Sequence, residues 1–235
     1  SGEAIALGAM SVAAGYGEYM LAVTSSHFGS AEKEFRFPLG YANQRPLSSH
    51  WTVTGSGAFL VQSAEEYRKQ NTKSYFSNIR ITGVTVGKIV DYGLKDSQNM
   101  GACMAPAAMD TIVQNFQDME RKEKDYDRII TGDLGSIGRT ILFDLIREKG
   151  YDICEKHMDC GMTIFDKERQ DTHAGGSGCG CAAVTLASYV LPKLEKGEWK
   201  RVLFVPTGAL MSTVSFNEGA SVPGIAHGIV LESDA

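Results

Sequence analysis

Apolar and polar positions along the chain repeat with two different periods. Four stretches carry the helical period. Residues 1–16 are small and apolar, with Ala4, Ile5, Gly8, Ala9 and Val12 leaving room for close backbone packing. Residues 103–121 place Met109, Ile112, Val113 and Phe116 on one face, residues 137–149 end at the stop signal Gly150, and residues 177–196 follow a glycine-rich turn. Short apolar or alternating runs predict strands at 20–25, 51–62, 127–131, 200–206 and 224–232. A longer strand is predicted at 78–92, where Ile79, Ile81, Val84, Val86 and Ile89 recur. The intervals 27–50, 65–77 and 93–101 are polar or irregular and read as connections.

The same order of elements occurs twice. A small-residue helix leads to Gly17-Glu18-Tyr19, a strand ending Val-Thr-Ser, an irregular loop, and a strand ending in Ser63. A second small-residue helix leads to Gly197-Glu198-Trp199, a strand, an irregular loop, and a strand ending in Ser233. Residues 78–152 supply strand, helix, strand and helix ahead of the second copy, and nothing corresponding stands ahead of the first. The repeat therefore predicts a remnant of an N-terminal half at 1–77, a C-terminal half at 78–235, and an absent N-terminal βαβα segment.

Composition narrows the class of protein. With 43% hydrophobic and 22% charged residues, the chain is an ordinary globular one, long enough for a large core. A net charge of −5 speaks against a general nucleic-acid binder. No apolar run reaches the ~20 residues needed to span a bilayer, and no secretory leader pattern opens the chain. These features predict an intracellular protein. Five cysteines, an odd number, suit reduced thiols better than a disulfide framework.

The densest chemistry lies between Cys154 and Leu186. His157, Asp159, Cys160, His173, Cys179 and Cys181 can donate, accept, ligate or attack. Gly175, Gly176 and Gly178, with Ser177 among them, form a turn that opens a helix, so backbone N–H groups and the helix dipole converge on one point suited to an anion. Close packing of that helix is the structural alternative. On a strand, His157 and Asp159 share a face, with His157 as carboxylate donor and Asp159 orienting it or accepting from a neighbour; a satisfied polar pair near the core is the alternative. Cys160 reads as a buried filler rather than a nucleophile. A zinc set of these cysteines and histidines is set aside, because Cys-x-Cys is not the usual spacing. Ser25, Ser26 and His27 end a strand opposite Thr207 and Gly208, as pocket, dimer-contact or loop residues.

Several words carry a resemblance to a known family. They are His157-Met-Asp-Cys160, Ala174-Gly-Gly-Ser-Gly-Cys-Gly-Cys-Ala182, the run from Asp96 to Ala108, Thr131-Gly-Asp-Leu-Gly135, and Val222-Pro-Gly-Ile-Ala-His-Gly228. Together they closely resemble the stage V sporulation protein AD family of spore-forming Firmicutes, over essentially the whole chain. The resemblance implies an α/β, thiolase-like duplicated fold layered α/β/α/β/α, with the first half incomplete. It also implies that roughly the first hundred residues of the family protein, including the cysteine at the nucleophile position, lie upstream of Ser1.

Condensing relatives of that fold use a His-x-x-Asn word and a second Asn. Here His157 matches the first, Asp159-Cys160 replaces the rest of that word, and Gly176 stands where the second Asn is expected. Glycine offers no donor to an oxyanion. The resemblance thus implies a non-catalytic protein that binds dipicolinic acid (pyridine-2,6-dicarboxylate), alone or as its calcium chelate, and supports its uptake into the developing spore. The expected ligand contacts are His157, Asp159, Cys160, Gly176, Ser177, Gly178 and His227, with no catalytic residue, no cofactor and no resident metal. The flat ring needs an apolar slot. A homodimer, other stage V sporulation A proteins as partners, and a place at the spore inner membrane are further implications. The alternatives are an acyl-CoA-dependent thiolase or ketoacyl synthase, and a structural scaffold.

Overall fold

The computed structural model describes residues 1–35, 45–69 and 79–233. The chain begins with helix α1 (Gly2–Ala13), strand β1 (Tyr19–Ser26), α2 (Phe28–Phe35), β2 (His50–Thr52), β3 (Gly55–Gln62) and α3 (Ala64–Lys69). It continues with β4 (Ile79–Thr85), α4 (Met100–Asp118), β5 (Arg128–Thr131), α5 (Gly135–Glu148), β6 (His157–Asp159), α6 (Cys160–Ile164), α7 (Lys167–Gln170) and β7 (Gly175–Ser177). Then come α8 (Cys179–Thr185), a π-turn at Leu186–Val190, α9 (Leu191–Glu195), β8 (Arg201–Val205), β9 (Thr207–Ala209), α10 (Thr213–Asn217), β10 (Gly224–Ala226) and β11 (Gly228–Ser233).

The main sheet has the order β4-β11-β8-β5-β6. Strands β5, β6 and β8 run parallel, and β11 runs antiparallel to both β8 and β4. Period-two alternation splits its side chains between two cores. Ile129, Leu203, Val205 and Val230 face α4 and α5. Ile130, Val202, Phe204, Ile229 and Leu231 face α1 and the α8–α9 helix. Beyond those helices lies the antiparallel β1–β3 pair, which turns Ala22, Phe59 and Val61 toward them. Its opposite face carries the exposed Leu21, Val23 and Leu60. The described residues thus stack as helices, sheet, helices and a two-stranded sheet.

Local chemistry explains the shapes. Pro192 has no N–H to give to the carbonyl four residues back, and the helix takes up the mismatch as the π-turn before it. Asn99 caps α4 through a bond from the Ala102 N–H (3.2 Å). Gly150 ends α5 with φ of 86°.

Most predicted helices and strands are present, with several differences. Residues 51–62 form two strands in different sheets, because the Val53 N–H bonds the Ser177 carbonyl (2.8 Å) and Thr54 Oγ1 takes the Phe28 N–H (2.9 Å). Residues 224–232 likewise divide at His227. The interval 27–50 is not all loop: it begins with α2, whose Glu32 is buried and accepts from the Thr52 N–H. Strand β4 ends at Thr85, and the chain beyond it pairs with the fold through an isolated bridge from Val90 to Gly224 and a bond from the Val222 N–H to the Leu94 carbonyl. Residues 36–44 and 70–78, covering parts of two predicted connections and the first residue of the predicted 78–92 strand, lie outside the described residues.

The helix–strand–loop–strand order recurs, and both strand pairs are antiparallel. Their matching words do not occupy equivalent rungs. Glu232 lies opposite Arg201, whereas Gln62 lies opposite Tyr19 rather than Leu21, a shift of two positions that keeps each side chain on its face.

Candidate functional site

Strands β2 and β7, far apart in the chain, pair in parallel with His50 beside Gly175, Trp51 beside Gly176 and Thr52 beside Ser177. Alternation gives this ribbon two unlike sides. His50, Thr52 and Ser177, all buried, border a polar cavity of about 30 Å³ shared with Glu32, Ser49 and Gln98. That is room for about one or two water molecules. The other side opens on a cleft of about 520 Å³. Phe28, Trp51 and Phe165 supply its aromatic surfaces, and the Phe28 and Trp51 ring centres are 5.1 Å apart. Val53, Ile164 and Val184 add aliphatic surface, and Thr52, Thr54, Gln170 and Thr172 add polar groups. A cleft of this size, mostly apolar with a few polar groups, suits a small organic ligand.

Gly176 is what lets the wall close up. A Cβ there would stand 2.9 Å from Ile164 Cγ2 and 3.0 Å from both Phe165 Cε2 and Val53 Cγ2, so any side chain must push the cleft lining back. Gly178 turns the chain into α8 with φ of 97°, where a Cβ would also meet Ser26 Oγ at 2.9 Å.

A polar cluster sits beside the cleft. The Arg45 guanidinium lies 4.2 Å above the centre of the Trp51 ring, and Trp51 Nε1 donates to the Asp171 carbonyl (3.1 Å). Arg45 Nη1 bonds Asp171 Oδ2 (3.2 Å), and Nη2 donates to the Asp171 carbonyl. His173 Nε2 is 3.4 Å from Asp171 Oδ1, while its Nδ1 is 3.0 Å from the Pro46 carbonyl. Asp171 and His173 both have positive φ, 50° and 49°, on either side of buried Thr172.

The reactive-looking residues of the central stretch have a different setting. Asp159 accepts four hydrogen bonds: Thr131 Oγ1 (2.7 Å) and the Leu134 N–H (2.9 Å) reach Oδ2, and the Gly135 (3.2 Å) and Met162 (3.0 Å) N–H groups reach Oδ1. Its carboxylate thus caps α6 and stands at the start of α5. Burial raises its pKa, and the four donors oppose that rise. His157 Nε2 is 3.0 Å from Thr131 Oγ1; since that hydroxyl donates to Asp159, the ring nitrogen is the donor to it. The ring stands edge-on to Phe143, and burial, with the Arg139 charge, pushes its pKa down to about 3. His157 is therefore neutral at ordinary pH. Its Nδ1 is enclosed with no partner among the described residues.

A second enclosed carboxyl, Asp133, accepts from Thr207 Oγ1 (3.0 Å) and from the Gly178 N–H (3.1 Å). Burial, reinforced by Asp159, pushes its pKa up to about 7. Ser26 Oγ takes the Gly180 N–H (2.9 Å). Two of the N–H groups at the start of α8, expected to cradle a ligand anion, are thus bonded to the chain's own Asp133 and Ser26. All five cysteines are unbridged. Burial raises the thiol pKa of Cys160 far above its ordinary value and raises that of Cys181, so both stay protonated. Among the described residues, no group of three or more His, Cys, Asp and Glu is placed to hold a metal ion. No helix among them is long and apolar enough to cross a membrane.

Of the residues expected to contact a ligand, Gly176 and Ser177 belong to the two-sided ribbon and Gly178 follows it. His157, Asp159 and Cys160 border neither the cleft nor the polar cavity. His227 borders neither as well: its Nδ1 accepts from the Gly87 N–H (3.2 Å) and ties the 86–94 segment to the corner between β10 and β11. The residues that surround open space, Phe28, Trp51 and Phe165, were not singled out in the sequence. The only local signal is an isolated aromatic residue inside a polar or small-residue run, and such residues more often belong to a core.

Comparison with known proteins fits this fold. The family model described as stage V sporulation protein AD (SpoVAD) matches residues 1–232. The stage V sporulation protein AD of Bacillus subtilis (strain 168) is 42% identical over 230 residues, covering 98% of this chain and 64% of that protein. The chain therefore spans just under two thirds of the length of that relative. Among solved structures, the ishigamide ketosynthase/chain length factor superposes with a TM-score of 0.58 at 10% identity, covering 99% of this chain and 54% of that one. The tetronic acid condensing enzyme AbyA1 gives 0.56 at 12% identity, with 98% and 64% covered. The 3-oxoacyl-[acyl-carrier-protein] synthase III of Aquifex aeolicus VF5 gives 0.53 at 11% identity, with 98% and 63% covered. At these identities the likeness establishes a mixed α/β, thiolase-like fold and nothing about chemistry.

Proposed function

We propose that this chain, which belongs to the stage V sporulation protein AD family, is a non-catalytic binder of dipicolinate, free or as its calcium chelate, and serves its uptake into the developing spore. The observation that carries this reading is the aromatic cleft beside the β2–β7 ribbon. A planar pyridine ring is matched by Phe28, Trp51 and Phe165, which offer stacking surface at little conformational cost. The threonines and Gln170 give the ligand's polar edge hydrogen-bond partners, and calcium, where it takes part, arrives with the ligand.

Two observations favour binding over acyl transfer. The position expected to hold a condensing Asn is Gly176, and a side chain there collides with the cleft lining. The buried thiols of Cys160 and Cys181 are held protonated, so neither can stand in for the nucleophile cysteine that the resemblance places upstream of Ser1. The same reading takes the recurring helix–strand–strand order as the trace of a duplicated, five-layered fold with the remainder of its first half at 1–77. It also includes a homodimer and work alongside other stage V sporulation A proteins at the spore inner membrane.

Isothermal titration calorimetry with dipicolinate, with and without calcium, tests the core of this proposal. Saturable binding is expected, weakened at least about tenfold by Trp51→Ala, since stacking on an aromatic ring is worth about 1–3 kcal/mol. Absence of binding to the unaltered protein, or thioester turnover by it, rejects the reading.

A further inference from the structure

We propose that Asp171 is a built-in stand-in for a ligand carboxylate: its side chain fills the anion position between Arg45 and His173 at the rim of the aromatic cleft, and an aromatic carboxylate entering the cleft displaces it. This rests on the cleft being the ligand site and adds how that site recognises and admits an anion.

The placement comes first. Gln170 and Thr172 border the cleft, and Asp171 stands between them in the chain. Trp51, the cleft's largest ring, has the Arg45 guanidinium stacked on it and donates its indole N–H to the Asp171 backbone. A ring stacked in the cleft therefore lies close to a fixed cation. Arginine presents its donors as a planar fork that matches a carboxylate, and here part of that fork is occupied by a carboxylate of the chain itself.

Burial separates the members of the cluster. The side chains of Arg45 and His173 are 19% and 18% exposed, whereas that of Asp171 is 74% exposed. The guanidinium that attracts an anion is held in place, with the His173 ring packed beside it; the anion that satisfies it reaches in from solvent and can swing out again. Each holder has its own anchor, Arg45 on the Trp51 ring and His173 through Nδ1 at the Pro46 carbonyl. Arg45 Nε is enclosed with no partner among the described residues, so the guanidinium has donor capacity that Asp171 does not use. The backbone agrees. Asp171 holds its carboxylate there in a left-handed conformation that L-residues adopt rarely and that Asp and Asn tolerate best.

An incoming carboxylate and Asp171 compete for the same donors, so removing the Asp171 charge should tighten binding. The experiment is calorimetric titration with dipicolinate and, separately, with pyridine-2-carboxylate, on the unaltered protein, Asp171→Asn and Trp51→Ala. Asn keeps the left-handed backbone conformation accessible and removes only the charge. The expected result is a three- to tenfold tighter Kd for Asp171→Asn, on the order of one surface-exposed charge-assisted contact, for both ligands. Arg45→Gln should weaken binding and cancel the gain when combined with Asp171→Asn. Unchanged or weaker binding by Asp171→Asn, with Trp51→Ala still binding poorly, overturns the stand-in and leaves the cleft reading intact. No binding by any form overturns both.

Discussion

The junction around Asp159 and the cleft beside Trp51 are built from opposite materials. The junction holds two carboxyls, a histidine, two buried cysteines and the start of a glycine-led helix, yet its polar groups are largely used on one another. Asp159 has four donors, Asp133 has two, and Ser26 takes a helix N–H. The cleft has no buried ionised group in its lining, and its open space is bounded by rings, aliphatic chains and hydroxyls. Reactive side chains mark a site only when the fold leaves them unspent. Here they fix β5, β6, α5, α6 and α8 to one another, while the open cleft lies where small and flat residues meet.

That contrast predicts a ranked series of effects. The largest falls on Asp159. Asp159→Asn turns an amide NH₂ toward either the Leu134 N–H or the Gly135 and Met162 N–H groups, and about 3–5 kcal/mol of stability should be lost, read as a lower midpoint in urea unfolding. A loss under about 1 kcal/mol would sink the view of Asp159 as structural and return it to the ligand-binding list. Next is Gly176. Gly176→Asn restores the residue expected of a condensing enzyme, and pushing back Ile164, Phe165 and Val53 should cost about 1–3 kcal/mol while weakening ligand binding at the cleft. A variant of unchanged stability that gains thioester exchange would make the cleft part of a catalytic site.

The smallest effects are in pH dependence. Folded Asp133 holds its proton to about 7 against an ordinary value of 3.8. The folded state keeps a proton that the unfolded chain has released, so this site weakens the fold as pH rises from about 4 to about 7. His157 runs the other way. Its folded value is about 3 against 6.5, so its contribution is complete above 6.5 and is lost as pH falls toward 3. Between those limits the two slopes oppose each other, each at most ~1.4 kcal/mol per pH unit. Unfolding measured from pH 6.5 down to 4 should show Asp133→Asn losing stability faster than the unaltered protein and His157→Gln losing it more slowly. Parallel profiles in all three proteins would mean that neither group is perturbed by the fold.

Much of the framework is legible from local pattern. The helices at α1, α4 and α5 and the strands β1, β5 and β8 follow from period and stop signals, because each is long or uniform enough for its own residues to decide it. The failures share a cause. Residues 51–62 and 224–232 each look like one strand, and each is cut by a partner from elsewhere: Ser177 and Phe28 at the first, Gly87 at the second. The three-residue strands β2, β6, β7, β9 and β10 carry too few positions for any period to register. The surroundings of the cleft show the same limit. Gly176 and Ser177 stand out locally because a run of glycines is a local signal, whereas Trp51 and Phe165 become neighbours of one cleft only after β2 and β7 pair.

By itself the sequence determined the family, the alternation of helices and strands, the twofold recurrence of their order, and the presence of one chemically dense stretch. Each of these is written in residue types at short spacing. Only the tertiary structure decided which groups of that stretch are already bonded to the chain itself. Hydrogen-bond donors at Thr131, Leu134, Gly135 and Met162 converge on Asp159 from three separate elements, and burial then fixes the protonation of His157, Asp133 and the thiols. Whether a polar side chain is available to a ligand depends on which partners the folded chain brings to it, and, the Met162 cap bond apart, the partners of Asp159 lie too far along the sequence for any local pattern to name.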